Sequence, residues 1–320
     1  MIFYAAAVSV APGPLEELIC AKRGRRLFTF FHHRSGQMGA KDIAWWSAAV
    51  AAKKTERVHL LDSGAYSAWK AESAIDLDEY VQYIQTAPPL FKYVVNVDVI
   101  PGSWGEIPSQ AEIDKSAERG WENYWYLCKK LAPLKITPLH TYHQGESTRW
   151  LTKLMDEAGY FCVSPANDRT ASQKAAWLDE IMPMLTDAKG RPIRKWHGLG
   201  VTTLSLIRRY PWYSVDSTTW RQMARFGIVV YPDMAKQFLT RIDISDLSPR
   251  RAEAGSWHYD RLAPAEQDRV RAFIEAQGCS VDVLRTSLLE RDKYNLSAFY
   301  TFFENWVDRP HDRRDVATDR

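Results

Sequence analysis

Two aspartates set in similar surroundings, Asp62 in LLDSGAYS and Asp216 in SVDSTTW, are where the chemistry of this chain is best sought. Each ends an apolar run and is followed by small or hydroxyl residues that leave room for a ligand. A carboxylate at the end of a buried strand is costly unless it is paired, solvated at the strand's mouth, or used. Two such groups on one face suit displacement at an anomeric carbon. One attacks to form a covalent glycosyl intermediate, while another acid or base handles the leaving group. The alternative is that each merely caps the helix after its strand, since Asp-Ser and Asp-Ser-Thr are good N-cap contexts.

Further polar residues gather around similar strand ends. Asp98, in NVDVIPG, is able to accept hydrogen bonds from the amide-like edge of a purine, or else shapes the turn before Pro101. In HQGE, residues 143–146, Gln144 offers a base both a donor and an acceptor, and Gly145 permits close backbone approach. His140 and His143 read as structural. KWHGLGV puts Gly198 and Gly200 at a strand end, where a flat ligand can lie against backbone, although the spacing is not that of a dinucleotide fingerprint. Ser63, Ser164 and His197 complete the expected base-binding set. His32 and His33 are adjacent and so expected to point to opposite sides of a strand, and no cysteine or carboxylate cluster completes a metal site. No metal or other cofactor is expected.

Basic residues cluster as Lys22, Arg23, Arg25 and Arg26, then Arg34, Arg208 with Arg209, and Arg250 with Arg251. Short clusters of this kind are usually solvated surface. At the mouth of the fold, Lys22, Arg23, Arg25, Arg26, Arg208 and Arg209 would position a phosphate backbone. Trp45, Trp46 and Trp69 would then stack on bases.

The elements that must position these residues are legible as an alternation. Apolar runs recur at 2–8, 27–33, 58–64, 93–99, 136–143, 160–166, 195–201, 212–218 and 227–232. Amphipathic helical segments such as DLDEYVQYIQ, KSAERGWENYWYLCKKL, TRWLTKLMDEAG and TTLSLIRRY lie between them. Alternation of this kind predicts a parallel sheet. Near-continuous apolar strands predict burial on both faces, hence an α/β fold of the (β/α)8 TIM-barrel type. One of the first two runs is then surplus. Asp62, Asp98, His143, Gln144, Ser164, His197 and Asp216 all fall at or just after strand C-termini, the face that carries the active site in such barrels. The barrel is expected over 1–235 and a helical C-terminal appendage over 236–308. That appendage is expected to hold a loop at SPRRAEAGSWHYDR and helices over APAEQDRVRAFIEAQG, SVDVLRTSLLERDKYN and LSAFYTFFENWV. A flexible charged tail is expected over 309–320.

Composition narrows the class. With 320 residues, 46% hydrophobic, the chain can bury a large core without staples. Lys and Arg total 42 against 39 Asp and Glu, so the net charge of +3 argues neither for nor against a nucleic-acid partner. The four cysteines, Cys20, Cys128, Cys162 and Cys279, form no close pair. That excludes a legible disulfide framework or thiolate zinc site and fits a reducing, cytoplasmic setting. The start, MIFYAAAVSVAPGPLEE, lacks a basic region and is cut short by prolines, unlike a signal peptide. No run reaches the length of a spanning helix, so no membrane association is expected.

In this order LDSGAYS, VNVD, HQGE, GYFCVSPAND, HGLG and SVDSTTW resemble the tRNA-guanine transglycosylase superfamily, over about residues 58–232. The DNA-acting branch, the DpdA-type 7-deazaguanine DNA transglycosylases of phages and bacteria, is the nearest in pattern. The resemblance implies exchange of guanine in DNA for a free 7-deazaguanine base, such as 7-cyano-7-deazaguanine. It implies Asp216 as the nucleophile at C1′, Asp62 as general acid and base, and Asp98 with Gln144 reading the purine edge. A phage protein would work in the host cytoplasm. The tRNA-acting enzymes carry a CxCxxC and histidine zinc site after the nucleophile, whereas here no cysteine follows until Cys279. They also have DSGGFQ where this chain has DSGAYS. A tRNA-acting enzyme, a retaining glycoside hydrolase and a barrel that only binds nucleic acid remain the alternatives.

Overall fold

Apolar strands flanked by amphipathic helices close into a ring in the computed structural model. It describes residues 1–6, 13–34, 37–87, 89–102, 107–201, 203–234, 237–253 and 255–307. The ring strands are β1 (Ile2–Ala5), β2 (Arg25–Thr29), β3 (His59–Asp62), β4 (Phe91–Val95), β5 (Thr137–Leu139), β6 (Thr141–His143), β7 (Tyr160–Ser164), β8 (Lys195–Gly198) and β9 (Ser214–Ser217). They are hydrogen-bonded in the order β5-β4-β3-β2-β1-β9-β8-β7-β6. All these pairings are parallel.

The two ends of that order meet in one piece of chain. Only His140 separates β5 from β6; the Leu139 carbonyl accepts from Asn96 N–H and the His140 carbonyl from Cys162 N–H, each at 2.8 Å. The single run ITPLHTYH therefore pairs with β4 through its first half and β7 through its second. The sheet closes as the barrel the alternation predicts.

Alternate residues face opposite ways along each strand. Tyr4, Leu27, Leu60, Val95, Leu139, Tyr160 and Cys162 fill the lumen. Phe3, Phe28, Leu61, Val94, Phe161, Trp196 and Val215 turn outward onto the helices. That double burial explains why the strands read as unbroken apolar runs.

Both early runs belong to the barrel, and the surplus one is the last. GIVVYP forms β10 (Ile228–Asp233), which pairs antiparallel with β11 (Phe238–Asp243) in a separate ribbon. A further parallel strand needs a long crossover, whereas an antiparallel partner needs only a short connection. The barrel alternation thus ends at β9, and a strand stands where only helices were expected after residue 235. FFHH also departs from expectation, turning helical over Phe30–His33. His33 Nδ1 meets the Thr29 carbonyl and Nε2 meets Asp42 Oδ2, each at 2.7 Å, so the two histidines do not alternate about a strand.

The C-terminal helices span Pro264–Ala276, Val281–Thr286 and Leu288–Glu304. The last is continuous through 295–296, where a break was expected; the break is at Ser287, whose hydroxyl accepts from Glu290 N–H at 3.3 Å. This helix lies on the barrel wall. Phe303 stacks on Phe3 with centroids 4.8 Å apart, and Tyr300 Oη donates to the Arg25 carbonyl at 2.8 Å. Fully buried Asn295 ties in the ribbon, accepting from Val230 N–H at 3.0 Å and donating to the Trp220 and Ile228 carbonyls at 3.0 and 2.9 Å. Ribbon and helices share a second core of Val229, Ile242, Ile244, Tyr259, Ile274 and Leu284. The expected tail, 309–320, lies outside the described residues. Among the described residues no helix is long and apolar enough to cross a membrane.

Candidate active site

Strand parity brings the two key aspartates to one place. Asp216 shares its face of β9 with Ser214, while Val215 points outward; Asp62 shares its face of β3 with luminal Leu60. Both therefore face the lumen at the C-terminal rim, in register with Tyr4 and Thr29 of the intervening strands. Neither caps a helix. The helices that follow start at Ala65 and Thr219, with Gly64 and Thr218 at their N-caps and no side-chain cap bond at either.

Asp216 is 7% exposed and held at one oxygen. Its Oδ1 accepts from Gly200 N–H at 2.7 Å and lies 3.2 Å from His197 Nε2. Gly200 has φ of 64°, with open space where a Cβ would stand, so the loop can turn its amide onto the carboxylate without strain.

Asp62 is partly buried at the rim, and its carboxyl is pushed up from 3.8 to about 7. Burial is the main cause; the negative charges of Asp216 and Asp98 add to it, against the Gly64 and Ser63 backbone N–H groups. Asp62 thus senses the other two carboxylates across the mouth. A group near neutrality is suited to give a proton and take it back.

Asp98 is clamped from one side. Its Oδ2 lies 3.3 Å from His143 Nε2, while Oδ1 is buried with no hydrogen-bond partner among the described residues. His143 Nδ1 in turn lies 2.9 Å from Glu146 Oε1. Burial works against a cation there, but the charge of Asp98 and the hydrogen bonds to Asp98 and Glu146 outweigh it and raise His143 to about 10. His143 is structural in a specific sense, as the cation that stands between the Asp98 and Glu146 carboxylates and holds Asp98 in place. His140, 4% exposed, lies outside this group and meets Asn96 Nδ2 at 3.1 Å. Gln144 Oε1 accepts from Ala166 N–H, and its own N–H donates to the Ser164 carbonyl, both at 3.1 Å. That leaves the amide NH2 as the group Gln144 can offer a ligand. Gly145 has φ of 104°, which permits the turn between Gln144 and Glu146.

Several expected site residues serve the fold instead. Ser63 is 1% exposed and donates to the Asn96 carbonyl at 2.8 Å, lacing β3 to β4. A Cβ on Gly198 would stand 2.8 Å from both Trp212 Cε3 and Val201 Cγ2, so this glycine admits outward packing, not a flat ligand. Arg26, 3% exposed, cannot reach a phosphate: it donates to Asp42 Oδ1 at 2.8 Å beneath the outer helices. Lys22, Arg23 and Arg25 lead into β2 and so lie at the N-terminal end of the barrel, opposite the carboxylates. Arg208 and Arg209 close a helix running back toward that same end, and Arg209 pairs with Asp179. Trp46 is fully buried, and Trp69 Nε1 donates to the Gly102 carbonyl at 2.9 Å. The expected basic frame around the mouth is not made by these residues.

Others went unpredicted. Glu146 holds His143, and its place in HQGE, three residues on, was a usable signal. Tyr66, 43% exposed, stands in the first turn after Asp62. Ser214 touches both His197 Nδ1 and Tyr160 Oη at 2.6 Å, as the period-two spacing to Asp216 allowed. A cavity of about 810 Å³ lies at the opposite end, between Gly159, Lys195 and Tyr213 at the starts of β7, β8 and β9.

Fold and rim together define a (β/α)8 barrel with three carboxylates gathered at its C-terminal mouth. Compared with known proteins, the chain matches no family model and no curated protein.

Proposed function

We propose that this chain is a base-exchange enzyme that replaces guanine in DNA with a free 7-deazaguanine by retaining double displacement. The observation that carries the reading is the division of labour between two luminal carboxyls. Asp216 is oriented by Gly200 and His197, and Asp62 is tuned to about 7 beside it. Asp216 attacks C1′ of the deoxynucleoside, the bond from C1′ to the base nitrogen breaks, and Asp62 gives its proton to the departing guanine. The incoming deazaguanine then loses its ring proton to Asp62, and its nitrogen displaces Asp216 from C1′. The sugar keeps its configuration, and no redox partner is needed.

The unsatisfied Oδ1 of Asp98 supports a base as the leaving group. A buried acceptor without a donor is costly, and the N–H edge of guanine supplies donors. Because C1′ lies within the duplex, the nucleotide must be flipped out or supplied single stranded. The cysteine pattern favours DNA over tRNA, as the resemblance implies.

The test is exchange of labelled guanine and of 7-cyano-7-deazaguanine into DNA and tRNA, with the wild type and Asp216→Asn. The reading requires incorporation into DNA that Asp216→Asn abolishes. Incorporation into tRNA alone would reassign the substrate. Release of reducing sugar from oligosaccharides without base exchange would make the chain a glycoside hydrolase. Full exchange by Asp216→Asn would refute the mechanism.

A further inference from the structure

The lumen below Asp216 holds a chain of polar groups that the proposed reaction does not itself require. On three adjacent strands, Tyr160 Oη lies 2.6 Å from Ser214 Oγ, and Ser214 Oγ lies 2.6 Å from His197 Nδ1. His197 Nε2 reaches Asp216 Oδ1 at 3.2 Å. His197 and Ser214 are fully buried. The imidazole packs edge-on against Tyr4 at 5.7 Å, and Tyr160 is wedged between Tyr93 at 4.9 Å and Tyr213 at 5.3 Å. Such packing leaves little freedom to reorient.

We infer that Tyr160, Ser214 and His197 form a one-way hydrogen-bond relay that presents Asp216 for attack, with His197 as a positioning residue. The donor inventory carries the argument. In a neutral imidazole whose Nε2 donates to the carboxylate, Nδ1 accepts, and the hydroxyl at hand is that of Ser214. Ser214 then accepts from Tyr160 O–H, and every hydrogen of the chain is used. The opposite neutral tautomer would aim an imidazole lone pair at a carboxylate oxygen. With Oδ1 held by His197 and by Gly200 N–H, Oδ2 is the oxygen left to meet C1′. An imidazole oriented through its far nitrogen is a recurrent means of fixing a tautomer.

This inference rests on Asp216 as the nucleophile of the proposed exchange, so its test separates the two. In the full-length chain, His197→Leu removes the donor, whereas His197→Gln returns an amide N–H close to the Nε2 position. Loss of alignment at a reacting atom costs about 100-fold in rate. His197→Leu is therefore expected to lower kcat about 100-fold with KM for the free base unchanged, and His197→Gln to regain about tenfold of it. Ser214→Ala and Tyr160→Phe are each expected to lower kcat about tenfold, and the double variant no further, since both cut one chain. A purely structural role would lower thermal stability without this split between kcat and KM or the rescue by glutamine.

Wild-type kcat in His197→Leu beside an inactive Asp216→Asn overturns the relay alone, as does His197→Gln no better than His197→Leu. Exchange that survives Asp216→Asn overturns the proposed function and the relay with it. A readout independent of activity is the imidazole nitrogen spectrum of ¹⁵N-histidine-labelled protein, with the His197 signals identified by their loss in His197→Gln. The relay requires hydrogen on Nε2 and none on Nδ1, and a changed tautomer ratio in Ser214→Ala; hydrogen on Nδ1 alone, or an unaltered ratio, overturns it.

Discussion

Replacing Asp62 by asparagine should make the protein more stable, and only above acidic pH. The carboxyl moves from 3.8 to about 7 in the fold, chiefly through burial with the charges of Asp216 and Asp98 behind it. That displacement, at about 1.4 kcal/mol per tenfold change in proton affinity, sets a ceiling of about 4 kcal/mol. At the barrel mouth, water and local relaxation recover part of that, so about 2 kcal/mol is the expected effect. The sign follows from proton binding. Between pH 4 and 7 the folded protein keeps this proton while the unfolded chain has lost it, so wild-type stability falls as pH rises through that window. Asparagine, the neutral isostere, does not titrate. Thermal unfolding of both proteins at pH 4, 5.5, 7 and 8.5 should show no gap at pH 4 and one of about 4 °C in favour of Asp62→Asn at pH 8.5. A constant gap across that range, or a wild type more stable at pH 8.5, would refute the burial argument. Under the proposed mechanism the stabilised variant has also lost its proton carrier, so its base exchange should fall sharply.

Two further outcomes test the assignments around the site. Arg26→Leu removes the cation 2.8 Å from buried Asp42 and 3.9 Å from buried Glu16, leaving Asp42 with His33 alone, and should cost about 3 kcal/mol by urea unfolding. DNA affinity of the folded protein should be unchanged; a loss of affinity at unchanged stability would return Arg26 to the phosphate-binding set. His143→Gln should be less stable than the wild type by about 1 kcal/mol at pH 6, a figure reduced for the partial exposure of the imidazole. His143 is raised from 6.5 to about 10, so its stabilisation is complete below pH 6.5 and is lost as pH rises toward 10. Denaturant titrations should show the gap closing over that window, and a gap that widens would contradict the ion pairing.

Strand identity and the polarity of strand ends were legible because both are local. The run YFCV is apolar or aromatic at each position and is buried on both faces, and SVDS puts a charge where such a run ends. The (β/α)8 architecture and the rim position of Asp62 and Asp216 follow from those two facts. GIVVYP reads identically to a barrel strand. Its exclusion depended on the ring closing through ITPLHTYH and on β11 standing ready as an antiparallel partner. Gly198 likewise reads as a ligand-facing glycine in HGLG. Its true reason, the Trp212 ring 2.8 Å from a hypothetical Cβ, lies fourteen residues away.

By itself the sequence determined the barrel, the helical end and the aspartates that face the lumen, since period and strand-end position are properties of neighbouring residues. Tertiary structure alone decided that the basic clusters expected at the mouth lie at its far end or in buried pairs, because that depends on how each connection returns through space. It also decided the environment of each carboxyl. The tuning of Asp62, the clamp of His143 on Asp98 and the line from Tyr160 through Ser214 and His197 to Asp216 arise from strand register and burial, which join residues up to 154 positions apart.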